Sequence, residues 1–373
     1  MSVSFDAVRA AVTTVLEAAG GRDIAPPIVM PAGVMIELCG ETVRARLCTF
    51  TDPSGAEFCL RPDMTVPIAR MSAEAGAKAE RVHVVGPVFR YPAPGVDDPI
   101  EFIQAGFEWI GGSGCANEDA EAIALVLEGA AAAGVKRGVL RFGDAALFGA
   151  IVDALEAPEA WRRKLKKAYS RRRGPRDLMA SSGDAPTRSP LAAGLAALEP
   201  SDAEAAVNEI FAIAGISAVG GRDASEIADR LIAQQQAGDS LPADTAAALT
   251  RFLDISGDAR EAEKTLADFA KDVGVDINAA LSRYVDRLDA LKRLSPSLQA
   301  DLVFGAEFGR RFDYYDGLVF ELSHPAFPDD RAIAAGGRYD GLISELSRGD
   351  ASATALGGVL RPDRLAIAAE ADQ

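Results

Sequence analysis

Strand-like stretches crowd both ends of this chain and almost none lie between them, and this split limits the folds open to it. Up to about residue 145 come IELCG, RARLCTFTD, AEFCLRPD, RVHVVGPVFRY, IEFIQAGFEWIG and VLRFGD, short β-rich pieces separated by turns such as DPSG at 52–55. From there to about 295 the sequence reads as helix, with Ala- and Leu-rich stretches broken at SSGDAPTRSP (181–190) and AGDSLPAD (237–244). Strands return in DLVFGAEF, DYYDGLVFELS, AAGGRYDGLI and TALGGVLRP. The outer strands need each other to complete a core, so an α+β fold is expected: one sheet domain carrying a helical insertion. The expected division is 1–145 and 296–373 for the two parts of the core and 146–295 for the insertion.

Composition narrows the function classes. The chain has 373 residues, 49% of them hydrophobic, enough for a well-buried core. No apolar run approaches the roughly 18–20 residues of a membrane span. Residues 3–20 read as an amphipathic helix, with Phe5, Val8, Ala11, Val12, Val15 and Leu16 at helical spacing and Gly20-Gly21 as its stop. This start lacks the features of a signal peptide, so a soluble cytoplasmic protein without a membrane partner is expected. A net charge of -16 argues against nucleic acid as the main partner, because phosphate binding needs clustered Lys and Arg. Cys39, Cys48, Cys59 and Cys115 form no C-x-x-C pair, and His83 and His324 lie far apart. Reduced thiols and no metal site or cofactor are therefore expected.

Five stretches carry chemistry. In LRPDMTVPIAR, a helix is expected to start at Asp63 or Thr65; the two side chains serve either as an N-cap or as ligands to an amine. In IEFIQAGFEWIG, period-two alternation puts Gln104 and Glu108 on one strand face with Gly106 between them. That face either is exposed and polar or leaves room for a small amino compound. In GRRFDYYDGLVFEL, Arg310 can reach a carboxylate or phosphate, and Tyr314 and Tyr315 point to opposite faces if the segment is a strand. AAGGRYDGLI lets backbone pass tightly under a pocket before Arg338, or is a turn. In LGGVLRPDRLAI, Arg361 and Arg364 open a helix, where an arginine either stacks on a nucleotide or lies at the surface. Two other stretches are noted: NEDAEAIALVLEGAAAAG reads as a helix with Asn117 as N-cap, and the basic run WRRKLKKAYSRRRG (161–174) is either a solvated face or a docking surface.

In this order the pieces resemble the catalytic core of histidyl-tRNA synthetase, a class II aminoacyl-tRNA synthetase, over residues 1 to about 145 and about 295 to the end. The resemblance implies an antiparallel sheet flanked by helices. It maps an amino-acid pocket onto Asp63, Thr65, Gln104, Glu108, Arg310, Tyr314 and Tyr315, with Arg338 near it, and a nucleotide site onto Arg90 and Arg364. The departures weigh against catalysis. Pro92 stands where a glutamate is expected, and Asp97, Asp98, Pro99 and Ile100 stand where the loop needs cations to stabilise charge on the α-phosphate. The chain also stops at the third motif, where the synthetases continue into an anticodon-binding domain.

Such a core resembles the regulatory subunits of ATP phosphoribosyltransferase. That likeness implies a non-catalytic role in the first step of histidine biosynthesis: activation of a short-form catalytic subunit and feedback inhibition with histidine as effector. It also implies a hetero-octamer of four plus four subunits. Within it a homodimer is expected, formed around Pro26-Pro27 to Glu37, as class II cores pair through their first motif. Arg90, Arg310 and Arg364 keep a competing reading open, an amino-acid-activating ligase. The third reading is a scaffold or tRNA-binding relic using the basic run; tRNA is not an expected partner.

Overall fold

The structure is a computed structural model and describes residues 4–39, 41–93, 95–155, 157–169, 174–181, 194–195, 198, 200–214, 241–309, 314–328 and 331–373. Among these residues there are twelve strands: β1 (Arg22–Asp23), β2 (Val29–Pro31), β3 (Thr49–Thr51), β4 (Glu57–Leu60), β5 (Glu80–Phe89), β6 (Glu101–Ile110), β7 (Val139–Asp144), β8 (Ser256–Asp258), β9 (Asp301–Gly305), β10 (Leu318–Ser323), β11 (Ala334–Arg338) and β12 (Ala355–Leu360). Nine of them form one sheet in the order β1-β5-β6-β12-β11-β10-β7-β9-β8, and β2-β4-β3 form a small second sheet.

The run from β5 to β7 is antiparallel throughout, as expected. Toward the edges β1 joins β5 and β9 joins β7 in parallel, which makes the whole sheet mixed. Strands from the two ends of the chain interleave. β12 pairs with β6, with Gly357 opposite Glu108, and β10 pairs with β7. The helical middle supplies the edge strand β8, whose three residues, Ser-Gly-Asp, are too few and too polar to show a period in the sequence.

Thirteen α-helices lie among the described residues, besides a 3-10 helix over Glu41–Arg46. Those before β8 are α1 (Phe5–Ala18), α2 (Ala32–Cys39), α3 (Thr65–Glu74), α4 (Ala116–Ala132), α5 (Ala145–Ala154), α6 (Glu159–Tyr169), α7 (Pro175–Ser181), α8 (Pro200–Ala214) and α9 (Ala243–Leu253). After it come α10 (Ala259–Val273), α11 (Asn278–Leu294), α12 (Asp340–Leu346) and α13 (Pro362–Ala371). None of them is long and apolar enough to cross a membrane.

Alternation along β6 sends Ala105, Phe107 and Trp109 into one core, with residues of α1, α4, α5 and α11. The opposite face of the sheet packs Val82, Val84, Val88, Phe102 and Ile110 against α2, α3 and α12. Each fully buried Val, Leu or Phe contributes roughly 1.5–3 kcal/mol, so each face by itself ties distant parts of the chain together.

Two local expectations are corrected. The N-cap of α4 is Cys115, not Asn117. The Glu118 side chain folds back to accept hydrogen bonds from Ser113 N and Gly114 N, both at 2.8 Å, which starts the helix early. Tyr314 and Tyr315 precede β10, which begins only at Leu318, so strand alternation does not apply to them. Their rings pack together instead, with centroids 4.6 Å apart.

Candidate functional site

The site lies on the α2–α3–α12 face of the sheet, where β6, β11 and β12 run side by side. Gln104 and Glu108 share this face of β6 and both are buried, so it is not an exposed polar surface. Glycines provide the depth. A Cβ at Gly357 would overlap the Glu108 carboxylate, and one at Gly337 would lie 2.7 Å from the Tyr315 ring. The Gly-Gly pairs of β11 and β12 are thus close-approach strands rather than turns.

Glu108 is held by hydroxyls. Thr65 Oγ1, at the start of α3, donates to its Oε1 at 2.6 Å, and the Tyr339 hydroxyl donates to its Oε2. Burial pushes the carboxyl up to about 8, with nearby Asp63 acting in the same direction and the two hydroxyl donors partly opposing them. Burial and the neighbouring Glu108 also push the Tyr339 hydroxyl well above its ordinary range, so it stays a donor.

Tyr314 and Tyr315 pack beside Tyr339, the two rings meeting the Tyr339 ring nearly edge-on at 5.9 and 6.4 Å. Asp63 is buried and its Oδ1 accepts from Val66 N at 3.1 Å, a capping contact at the helix start. Arg61, also buried, fixes the approach to Asp63 by donating to Pro87 O at 2.8 Å and Pro26 O at 2.5 Å.

The structure therefore brings Asp63, Thr65, Gln104, Glu108, Tyr314 and Tyr315 to one face. Arg310 lies outside the described residues. Arg338 points through to the opposite face, where its Nε and Nη2 bind Asp119 Oδ1 at 2.9 and 2.7 Å. It is the next residue, Tyr339, that reaches Glu108. Sequence reasoning missed Tyr339 because β11 ends at Arg338; its place directly after AAGGR was the available signal. Among the described residues no group of three His, Cys, Asp or Glu side chains is placed to hold a metal ion.

The neighbouring arginine cluster has a different character. Arg361 and Arg90 lie over the Phe102 ring, 3.6 and 5.0 Å from its centroid. Arg361 is chelated by Asp363 at 2.9 and 2.6 Å. Arg364 donates to Asp98 Oδ2 and to Ala332 O, each at 2.7 Å. The loop aspartate thus already pairs with this arginine. Within the basic run, Arg162 and Arg163 pair with Glu159 and Lys166 pairs with Asp153, while 170–173 lie outside the described residues.

The histidyl-tRNA synthetase family profile matches residues 3–215 and 216–365. A Brucella anthropi protein described as an ATP phosphoribosyltransferase regulatory subunit is 33% identical over 327 residues, covering 86% of each chain. Its Brucella canis counterpart is 32% identical over the same length, again covering 86% of each chain. Among solved structures, an ATP phosphoribosyltransferase regulatory subunit/histidyl-tRNA synthetase from Bacillus halodurans superposes with a TM-score of 0.65 at 21% identity, covering 98% of this chain and 78% of that one. A histidine–tRNA ligase subunit from Alicyclobacillus acidocaldarius gives 0.57 at 23% identity, covering 99% and 93%. At these identities the structural likeness concerns the fold, which is that of the class II synthetases.

Proposed function

The chain belongs to the family of ATP phosphoribosyltransferase regulatory subunits, and on that premise we propose that it senses histidine in the pocket around Glu108. Its role is regulatory and non-catalytic, in complex with the catalytic ATP phosphoribosyltransferase subunit in histidine biosynthesis. The observation that carries the histidine assignment is the buried Glu108 carboxylate, held between Thr65 and Tyr339 above Gly357. An ammonium arriving there favours the ionised carboxylate, so binding releases a proton near neutral pH. The tyrosine walls suit a flat imidazole. Asp63, Gln104 and Arg310 complete the proposed set, Arg310 for the ligand carboxylate.

The arginine cluster supports the absence of adenylation. Charge developing on an α-phosphate needs cations aimed at it, and here Asp98 and Asp363 already engage Arg364 and Arg361. Arg90 and Arg364 are on this reading the remnant of a nucleotide site. The proposed assembly is a cytoplasmic hetero-octamer of four regulatory and four short-form catalytic subunits, with the regulatory chains paired as dimers. Histidine biases that assembly only through different affinities for its active and inhibited states.

The test is the activity of a short-form catalytic subunit with and without this chain, each with and without histidine. Activation that histidine reverses is expected, together with weakened histidine binding in Glu108→Ala. Unchanged binding in Glu108→Ala would remove the pocket assignment. Histidine-dependent ATP–pyrophosphate exchange by the isolated chain would restore the ligase reading.

A further inference from the structure

Tyr339 and Arg338 are adjacent in the chain, yet their side chains act on opposite faces of the sheet. Tyr339 donates to Glu108 in the pocket, while Arg338 binds Asp119 of α4 beneath it. Asp119 is fully buried, and its two oxygens are divided between elements. Oδ1 takes Arg338; Oδ2 takes Arg287 Nε and Nη2 at 3.1 and 2.9 Å and Arg283 Nη2 at 3.1 Å, both from α11. Arg287 also reaches Asp144 Oδ2 at 2.8 Å, and Asp144 caps α5 through Ala146 N and Leu147 N.

This junction has little slack. A Cβ on Gly317 would meet the Arg338 stem at 3.0–3.2 Å, and Arg338 O accepts from Asp316 N. Asp316 in turn receives Asp340 N and Gly341 N at the start of α12. Tyr339 N is bound to Ala355 O at 2.8 Å. Both Glu108 oxygens already hold neutral hydroxyl donors. An incoming ammonium is the stronger, charge-assisted donor and competes with them. A shift of Tyr339 in this packing must be shared by Arg338, because well-packed interiors transmit displacement rather than absorb it.

We propose that occupancy of the Glu108 pocket is transmitted through the Tyr339–Arg338 step to Asp119 and so to the seating of α11, which links the pocket to the helical middle of the chain. The proposal rests on the reading of that pocket as the histidine site. Arg287 and Arg283 act in it as positioning residues, holding α11 to the same carboxylate that holds Arg338.

Hydrogen exchange on the full chain, with and without saturating histidine, tests the link. In the wild type, exchange across 278–294 is expected to change at least about threefold on binding. Arg287→Lys keeps the charge but loses the forked contact; it should leave histidine affinity within about twofold and abolish the α11 response. Arg283→Gln, at the partly exposed rim, should weaken the response and serves if Arg287→Lys does not fold. Tyr339→Phe keeps the ring, removes the hydroxyl and should also abolish the response. Histidine binding with no change in α11, or a full response surviving the arginine variants, overturns the coupling alone. Absence of histidine binding to the wild type overturns the pocket reading and the coupling with it.

Discussion

Glu108 and Asp119 are both buried carboxylates, set on opposite faces of one sheet and joined through two consecutive residues, Arg338 and Tyr339. Their protonation shifts in opposite directions. Burial pushes Glu108 up to about 8, and its hydroxyl partners do not reverse that. Burial pushes Asp119 up as well, but Arg287, Arg338 and Arg283 more than offset it and hold the carboxyl below its ordinary value. Burial alone does not decide the charge of a carboxylate; a guanidinium in contact does. Asp119 has its cations from its own chain. Among the described residues Glu108 has no cation in contact, only the Thr65 and Tyr339 hydroxyls, and on the proposed reading a ligand ammonium supplies one.

The comparison breaks most severely at Asp119. Asp119→Ala leaves Arg287 and Arg338 buried without their shared carboxylate and should cost about 3–5 kcal/mol, read as a lower urea midpoint. On the Glu108 side, Gly357→Ala inserts a methyl where the carboxylate lies. It should cost about 1–3 kcal/mol and weaken histidine binding at least about tenfold by calorimetry.

Glu108→Gln sharpens the contrast through pH. The folded chain keeps on Glu108 a proton that the unfolded chain loses at its ordinary value of 4.5, so this contribution to stability fades as pH rises from about 4.5 to about 8. Asp119 has the opposite sign: its contribution is present above 3.8 and is lost as pH falls through its lowered pKa. Urea midpoints should therefore fall more for the wild type than for Glu108→Gln between about pH 5 and pH 8. Parallel profiles would show that Glu108 does not titrate there. The smallest effect is expected at the arginine cluster. Asp98→Ala frees a partly exposed pair and should cost roughly 0.5–1 kcal/mol, without histidine-dependent pyrophosphate exchange.

The shared face of Gln104 and Glu108 in the candidate site was legible in the sequence because strand β6 is regular. Alternation over IEFIQAGFEWIG places Gln104 and Glu108 together on one face, and they are together in the fold. Legibility failed where regular structure ends. Tyr314 and Tyr315 sit before the first residue of β10, and Tyr339 follows the last residue of β11, so no period assigns their directions. The Asn117 cap failed because a side chain one residue farther on, Glu118, competes for the helix entrance.

The amino-acid sequence by itself determined the local order: strands at both ends, helices between them, a polar pair flanking Gly106 and a loop carrying aspartates. These follow from side-chain period and backbone freedom, which act over a few residues. Only the tertiary structure decided that Gly357 makes room for Glu108, that Asp98 closes on Arg364 and that Asp119 gathers arginines from β11 and α11. These contacts span 164 residues from Asp119 to Arg283 and 219 from Asp119 to Arg338. No local pattern encodes such separations; the pairing of strands from the two ends of the chain and the packing of α11 on α4 create them.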